Sequence, residues 1–535
     1  MGRDWTPYPR ITAAHYRRRG HWHGKTLGER FRECARRYAD DLAVVAGDTR
    51  LTYAELDTRC DRLVGGLAAL GVRARDRVVV QLPNVVEFVE VLFALTRVGA
   101  TPILVIPSYR RHELRALMEI AEPVAYVVPD HYGGFDFRSQ ARELGKDIGT
   151  LRHVVVAGEP EEFIPVRELY REPEPLPDVD AGDLALCVMS GGTTGGPKLV
   201  PRTHENYAYL PDACAAAGLD RSDVYLAALP LAHNFPLACP GLLGTLTSGG
   251  TVVMSPTSSP DDAFPLIERE RVTWTTLVPS VVDFWTEAAQ WHRGDLSSLR
   301  LVQVGGAVFR PESARRAAQG LGCGLQQVYG MAEGLLTMTA LDDPDDLVLT
   351  TQGRPLCPAD EVRIVDPEGG DVEAGSVGEL WTRGPYTVRG YFRAPESSAE
   401  SFTPDGLYRT GDLARRLPSG HLVIKGRLKD VINRGGDKVP CEELEGHLLA
   451  HPAISAAAAV PVADPGLGER VCVFLVSEQA PSLREIRAFL TARGVASFKF
   501  PERLEYVQRL PLTKIGKIDR KALVALAAGS AAGSG

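Results

Sequence analysis

From Met189 to Lys198 the chain places four glycines, three hydroxyl side chains, one proline and one lysine within ten residues. Glycine lets backbone N–H groups close on phosphate oxygens. Ser190, Thr193 and Thr194 add hydroxyl donors, and Lys198 can offset negative charge. Ser190, Gly191, Gly192, Thr193, Thr194 and Lys198 are therefore candidates to hold the phosphates of a nucleotide. A Walker-type loop would need Gly-Lys-Ser/Thr, whereas here Pro197 precedes the lysine and Leu199 follows it, so that motif is absent. Taken alone, the segment could equally be a Gly-rich surface turn.

Four further blocks follow in order: Gln-Val-Tyr-Gly-Met-Ala-Glu at 327–333, Tyr-Arg-Thr-Gly-Asp at 408–412, Gly-Arg-Leu-Lys-Asp at 426–430 and Pro-Leu-Thr-Lys-Ile-Gly-Lys at 511–517. Together with the Gly-rich loop they resemble the signature blocks of the adenylate-forming superfamily, which includes acyl-CoA ligases, luciferases and the adenylation domains of nonribosomal peptide synthesis. The likeness spans residues 10–525. It implies attack of a carboxylate on the α-phosphorus of ATP, loss of pyrophosphate, and ATP with Mg²⁺ as cofactors. It places Gly306, Ala307, Val328, Tyr329, Gly330, Met331 and Ala332 around the nucleotide, Asp412 on the ribose hydroxyls, and Arg427, Lys429 and Lys438 on ATP. Glu333 is the implied Mg²⁺ ligand, since this hard cation takes few protein oxygens. Lys517 and His233 join Glu333 as catalytic candidates. Two anions meet in this reaction, so a point charge such as Lys517 is needed where they meet.

Each assignment has a plainer rival. Lys517 could be one solvated lysine in a basic tail with Lys514, Arg520 and Lys521. Glu333 and Asp412 could be ordinary loop carboxylates, Arg427 an interdomain salt bridge, and Gly305-Gly306 a turn.

The block from Ala232 to Pro240 resembles the stand-alone aryl-acid ligases of siderophore and related biosynthesis, in which the residue at Asn234 bonds an ortho-hydroxyl. Asn is neutral and offers both a donor and an acceptor, which suits a phenol. The alternative is a buried, backbone-bonded Asn. The stretch from Tyr8 to Phe31 resembles the N-terminal arm of the same ligases. Asn234, Phe235, Cys239, Gly305, Gly306, Val328 and Leu336 form the expected aryl-acid pocket. Cys239 and Leu336 stand where 2,3-dihydroxybenzoate ligases resemble Ser and Val carriers, and both changes disfavour a 3-hydroxyl. Salicylate is the expected acid, with 2,3-dihydroxybenzoate or 3-hydroxypicolinate as alternatives. The sequence holds no Gly-Gly-x-Ser-type phosphopantetheine site. The acyl acceptor is therefore expected in trans: a phosphopantetheinylated aryl carrier protein, or free CoA if the chain is an aryl-CoA ligase. The resemblance also implies a C-terminal domain rotating about Lys429 and bringing the loop 434–438 to the site.

These residues need rigid carriers. Runs such as Val78–Val80, 103–106, 124–128, 154–156 and 252–254 alternate with helical spacing such as 86–98. Continuous β-branched runs between helices indicate strands buried on both faces, hence parallel sheet. The expectation is an α/β fold: a large N-terminal domain, 1–428, of parallel-type sheets flanked by helices with a small β-rich subdomain, then a small mobile α+β C-terminal domain, 429–527. Residues 528–535, rich in Ala, Gly and Ser, are expected to be disordered. A net charge of −8 argues against nucleic acid or an anionic membrane as partner. No apolar run approaches the roughly 18 to 20 residues of a membrane span. Nine cysteines with no C-x-x-C pair fit reduced thiols in the cytoplasm rather than a disulfide framework or zinc site.

Overall fold

The Val- and Ile-rich runs become strands because both of their faces are covered. In the computed structural model, which describes residues 4–173, 175–190, 197–207, 218–434, 437–464, 468–493, 495, 497–513 and 517–531, two large sheets carry most of the chain. The seven-stranded sheet runs Lys198–Thr203, Leu184–Ser190, Thr101–Leu104, Arg77–Val80, Ala125–Pro129, His153–Ala157, Ile164–Pro165. All of its pairings are parallel except the first. Val78, Val79 and Val80 are fully buried, as two-sided cover requires. Helix Arg111–Ala121 inserts Leu114, Leu117 and Met118 on one side, at helical spacing, into a core shared with Phe137 and Tyr126.

The nine-stranded sheet has the order Arg354–Pro355, Gly334–Met338, Gly324–Met331, Leu301–Gly305, Trp274–Leu277, Val224–Ala227, Thr251–Met254, Leu42–Ala46, Thr49–Thr52. Its middle is parallel and its edges are antiparallel hairpins. Trp285, Phe264, Ile267, Val302 and Val304 fill the core behind it.

By compactness the chain divides into Met1–Val362 with Thr382–Arg409, and Arg363–Trp381 with Thr410–Gly535. This division differs from the boundary at 428 expected from the sequence. Strands Tyr408–Arg416 and Leu422–Arg427 form a four-stranded sheet with Glu361–Val365 and Gly378–Arg383, and helix Cys441–Leu449 packs on Leu422–Arg427. Most of that sheet therefore groups with the C-terminal residues. The second unit also contains a five-stranded sheet whose long hairpin is Ala456–Asp464 with Gly468–Val476.

Residues 528–531, expected from composition to be disordered, are helical. Helix Arg520–Ala531 continues past residue 528, with Leu523 and Ala527 buried against the hairpin strands. Alanine is the best helix former, so composition that reads as low-complexity tail extends the helix once one face is anchored. Among the described residues, no helix is long and apolar enough to cross a membrane.

Candidate active site

The strands on either side of the Gly-rich segment, Leu184–Ser190 and Lys198–Thr203, pair antiparallel. Ser190 and Lys198 are the last cross-strand partners before it. Gly191, Gly192, Thr193 and Thr194 lie outside the described residues. Lys198 places its Nζ 4.8 Å from the centroid of the Tyr391 ring, within cation–π range. The Tyr391 hydroxyl donates to Glu333 Oε1 at 2.9 Å. Burial, then the neighbouring Glu333 carboxylate, pushes the Tyr391 phenol well above its ordinary pKa, so Tyr391 stays a donor. Phe392 N–H donates to the Leu199 carbonyl at 2.9 Å and Val388 N–H to the Glu333 carbonyl at 2.8 Å. Segment 388–392 thus ties the lysine strand to the glutamate turn.

Glu333 sits at the tip of a two-residue turn between strands Gly324–Met331 and Gly334–Met338. Gly334 takes φ 147°, and a Cβ there would lie 2.5 Å from the Thr387 Cα. Only glycine allows that approach. The turn holds Glu333 at 4% exposure. Tyr329, Met331 and Ala332 on the same hairpin are half-buried, while Gly306, Ala307 and Gly330 are exposed.

The expected acid-pocket residues converge. Gly305 pairs with Val328 across parallel strands, and Gly330 pairs with Leu336 in the hairpin. A Cβ at Gly305 would lie 2.8 Å from the Val328 carbonyl oxygen and 3.1 Å from Phe235 Cζ. A Cβ at Gly330 would lie 3.0 Å from Leu336 Cδ1. Short helix Asn234–Ala238 supplies Asn234 and Phe235, with exposed His233 as its cap: the His233 Nδ1 accepts from the Phe235 N–H at 3.3 Å. Asn234 Oδ1 accepts from the Tyr207 hydroxyl at 2.8 Å, and its Nδ2 faces Cys239 Sγ at 3.6 Å. Cys239 Sγ donates in turn to the Asn234 carbonyl at 3.6 Å. Burial pushes the Cys239 thiol up to about 12, so it stays protonated and is a weak hydrogen-bond partner.

In the second unit, Asp412 and Arg427 are cross-strand partners joined by an ion pair, Arg427 Nε to Asp412 Oδ1 at 2.9 Å. Asp412 is buried, and its N–H donates to Thr410 Oγ1 at 3.0 Å. Gly411, at φ 68°, makes the bend before it. Thr513 N–H donates to the Lys517 carbonyl at 2.6 Å, and Lys517 N–H to Thr513 Oγ1 at 3.2 Å, so Thr513 and Lys517 are held against each other. Residues 514–516, with Lys514, lie outside the described residues. Lys517 is largely exposed as a residue. Its ammonium nonetheless has a pKa below the usual lysine value, through desolvation first and the Arg427 guanidinium second, with Asp412 and Glu442 opposing. Arg520 from the same tail is structural: it bonds Glu445 at 2.6 Å and reaches Asp430 at 3.6 Å. Lys429 lies in the single turn Leu428–Asp430 and Lys438 in strand Asp437–Pro440. Gly435 and Gly436 lie outside the described residues.

Sequence reasoning missed Tyr391, Tyr207 and Arg202. Tyr391 follows Gly390 in an aromatic pair, Tyr391-Phe392, a weak cue; the other two carried no signal beyond residue type.

Residues 31–392 match the family described as AMP-binding enzyme, and residues 443–517 match the AMP-binding enzyme C-terminal domain. The chain is similar to the 2,3-dihydroxybenzoate-AMP ligase of Bacillus subtilis (strain 168), with 52% identity over 525 residues, 98% of this chain and 97% of that protein. It is also similar to the salicyl-AMP ligase / salicyl-S-ArCP synthetase of Mycobacterium tuberculosis, with 48% identity over 528 residues, 97% of this chain and 94% of that one. Among solved structures it is similar to apo MbtA of Mycobacterium smegmatis, at TM-score 0.77 and 47% identity, covering 98% of each chain.

Proposed function

The chain belongs to the AMP-binding enzyme family, and on that premise we propose that it is an ATP-dependent aryl acid–AMP ligase acting on an ortho-hydroxybenzoate, with salicylate preferred. The observation that supports this reading is the packing of Phe235 and Val328 on the bare backbone of Gly305, with Asn234 adjoining Phe235 at the start of the same short helix. Aromatic and aliphatic side chains beside glycine backbone suit an aryl ring, and one amide suits one ortho oxygen. The acids named for the Bacillus and Mycobacterium relatives, 2,3-dihydroxybenzoate and salicylate, both belong to this class.

The aryl carboxylate attacks the α-phosphorus as pyrophosphate leaves, forming aryl-AMP. Lys517 supplies an ammonium between the carboxylate and α-phosphate oxygens, where preorganised charge is most effective. Asp412 accepts from the ribose hydroxyls, with Arg427 holding it. Ser190 and Lys198 bracket the phosphate loop. Glu333 fits Mg²⁺: it is a buried hard-oxygen donor whose Oε1 accepts from the Tyr391 hydroxyl. When bound, the ion would offset charge on the departing phosphates. The aryl group then passes to the phosphopantetheine thiol of an aryl carrier protein in siderophore or nonribosomal peptide biosynthesis, in the cytoplasm. The C-terminal residues pivot at Lys429 between the two steps.

Cys239 underlies the preference for salicylate. Its thiol bonds the Asn234 carbonyl and faces the Asn234 amide, so it offers little to a 3-hydroxyl. Acid-dependent ATP–pyrophosphate exchange tests the reading. Salicylate should lead 2,3-dihydroxybenzoate by no more than about 10²-fold, and benzoate should fall further behind. Benzoate matching salicylate would overturn the role of Asn234. Exchange independent of any aryl acid would overturn the function.

A further inference from the structure

An asparagine can present either its N–H or its carbonyl to a ligand, and the two choices select opposite chemistries. Asn234 is buried, at 8% exposure, and the proposed function has one face of its amide meet the acid. Its other contacts decide which face that is. The Tyr207 hydroxyl donates to Oδ1 at 2.8 Å. The amino group faces Cys239 Sγ at 3.6 Å, and the hydrogen on that sulfur is already directed at the Asn234 main-chain carbonyl, also at 3.6 Å. Turning the amide over would set Oδ1 against a sulfur, a weak donor whose hydrogen is shared with the Asn234 carbonyl. It would also strip Oδ1 of its phenolic donor.

Tyr207 is itself held. Residues 204–207 begin a helix capped by Thr203, whose Oγ1 accepts from the Asn206 N–H at 3.1 Å. Arg202, fully buried, stands with its guanidinium carbon 5.3 Å from the Tyr207 ring centroid and donates to the Tyr386 carbonyl. The Tyr386 hydroxyl in turn accepts from the Leu336 N–H at 2.7 Å. One buried scaffold therefore fixes both the tyrosine that aims the amide and the leucine that borders the ring.

We propose that Tyr207 is a positioning residue for acid selection: by claiming Asn234 Oδ1 it commits the amide to present an N–H, so that the enzyme selects an ortho acceptor over an ortho donor. This rests on the reading of Asn234 as the contact of the ortho substituent. Salicylate's phenolic hydrogen is bonded internally to its own carboxylate, leaving the phenolic oxygen outward as an acceptor. Anthranilate, nearly the same shape, spends one amine hydrogen internally and turns the other outward as a donor. Donor then meets donor.

The test is ATP–pyrophosphate exchange with salicylate, anthranilate and benzoate, on the wild-type protein and on Tyr207→Phe, with thermal melts of both. In the wild type, salicylate should lead and anthranilate should fall below benzoate. Anthranilate at or above benzoate overturns the proposal without any variant being needed. Tyr207→Phe removes the phenolic donor and leaves Cys239 as the remaining restraint on the amide, and the salicylate-to-anthranilate ratio of kcat/KM should fall about tenfold, the order of one hydrogen bond counted on both acids. An unchanged ratio, or an equal loss on all three acids, overturns the proposal while leaving the aryl-acid reading intact. Wild-type protein that does not favour salicylate over benzoate overturns the Asn234 reading itself, and the proposal with it.

Discussion

Replacing Gly305 by alanine tests the acid slot by geometry alone. Gly305 is the last residue of strand Leu301–Gly305 and is locked in register with Val328. The new Cβ would lie 2.8 Å from the Val328 carbonyl oxygen, which belongs to the sheet and cannot retreat, and 3.1 Å from Phe235 Cζ. Comfortable carbon–carbon separations begin near about 3.5 Å. The Phe235 ring, being the softer neighbour, should therefore move by roughly half an ångström. Overpacking of this kind costs about 1 to 3 kcal/mol of stability. A sub-ångström error in substrate placement costs up to about 10² in rate. The expected result is a fall of roughly 10- to 100-fold in kcat/KM for salicylate, carried mainly by a raised KM for the acid, with KM for ATP little changed. Gly306→Ala is the internal control. Gly306 has φ +84° and its nearest neighbour, Val278 Cγ1, at 3.4 Å, so the variant is strained in its backbone without filling the slot. It should lose stability with a smaller effect on the acid. A folded Gly305→Ala protein with unaltered salicylate KM would refute the placement of the aryl ring beside Phe235 and Gly305.

Lys517→Ala should lower pyrophosphate exchange by about 10² to 10³ while leaving transfer from preformed aryl-AMP largely intact; near-normal exchange would move the role to another lysine. The pH profile of exchange carries the same residue's signature. The reaction needs the ammonium, which exists below its pKa and is lost as pH rises through it. Because desolvation and Arg427 depress that pKa, the alkaline limb should fall below the ordinary lysine value of about 10.4 and be missing from the residual activity of Lys517→Ala. Lys429→Pro, within the turn Leu428–Asp430, fixes φ and removes an N–H. It should slow transfer to the carrier protein far more than exchange, and equal loss in both assays would place the pivot elsewhere.

The strands were readable because parallel sheets bury both faces, so Val78–Val80 and Val252–Met254 announce themselves as unbroken apolar runs. The candidate site residues stand out in sequence where a short block holds them, as in the hairpin bearing Val328 to Glu333 and the neighbours Asn234 and Phe235. The compact division was not readable, since strand Gly378–Arg383 enters its sheet from the middle of the chain, and no composition change marks which strands will share a sheet. The residues that aim the site were hidden for a related reason. Tyr207 meets Asn234 across 27 positions, and Arg202 meets Tyr386 across 184. Hydrogen bonds between such distant positions leave no period and no motif. In the proposed reading the blocks hold the residues that meet ATP and the acid, and relatives at 52% and 48% identity are named for different acids. Discrimination between acids that differ by one donor or acceptor depends instead on which way a single amide is turned. That orientation is set by Tyr207 and Cys239, and only the folded chain brings them to opposite sides of the Asn234 side chain.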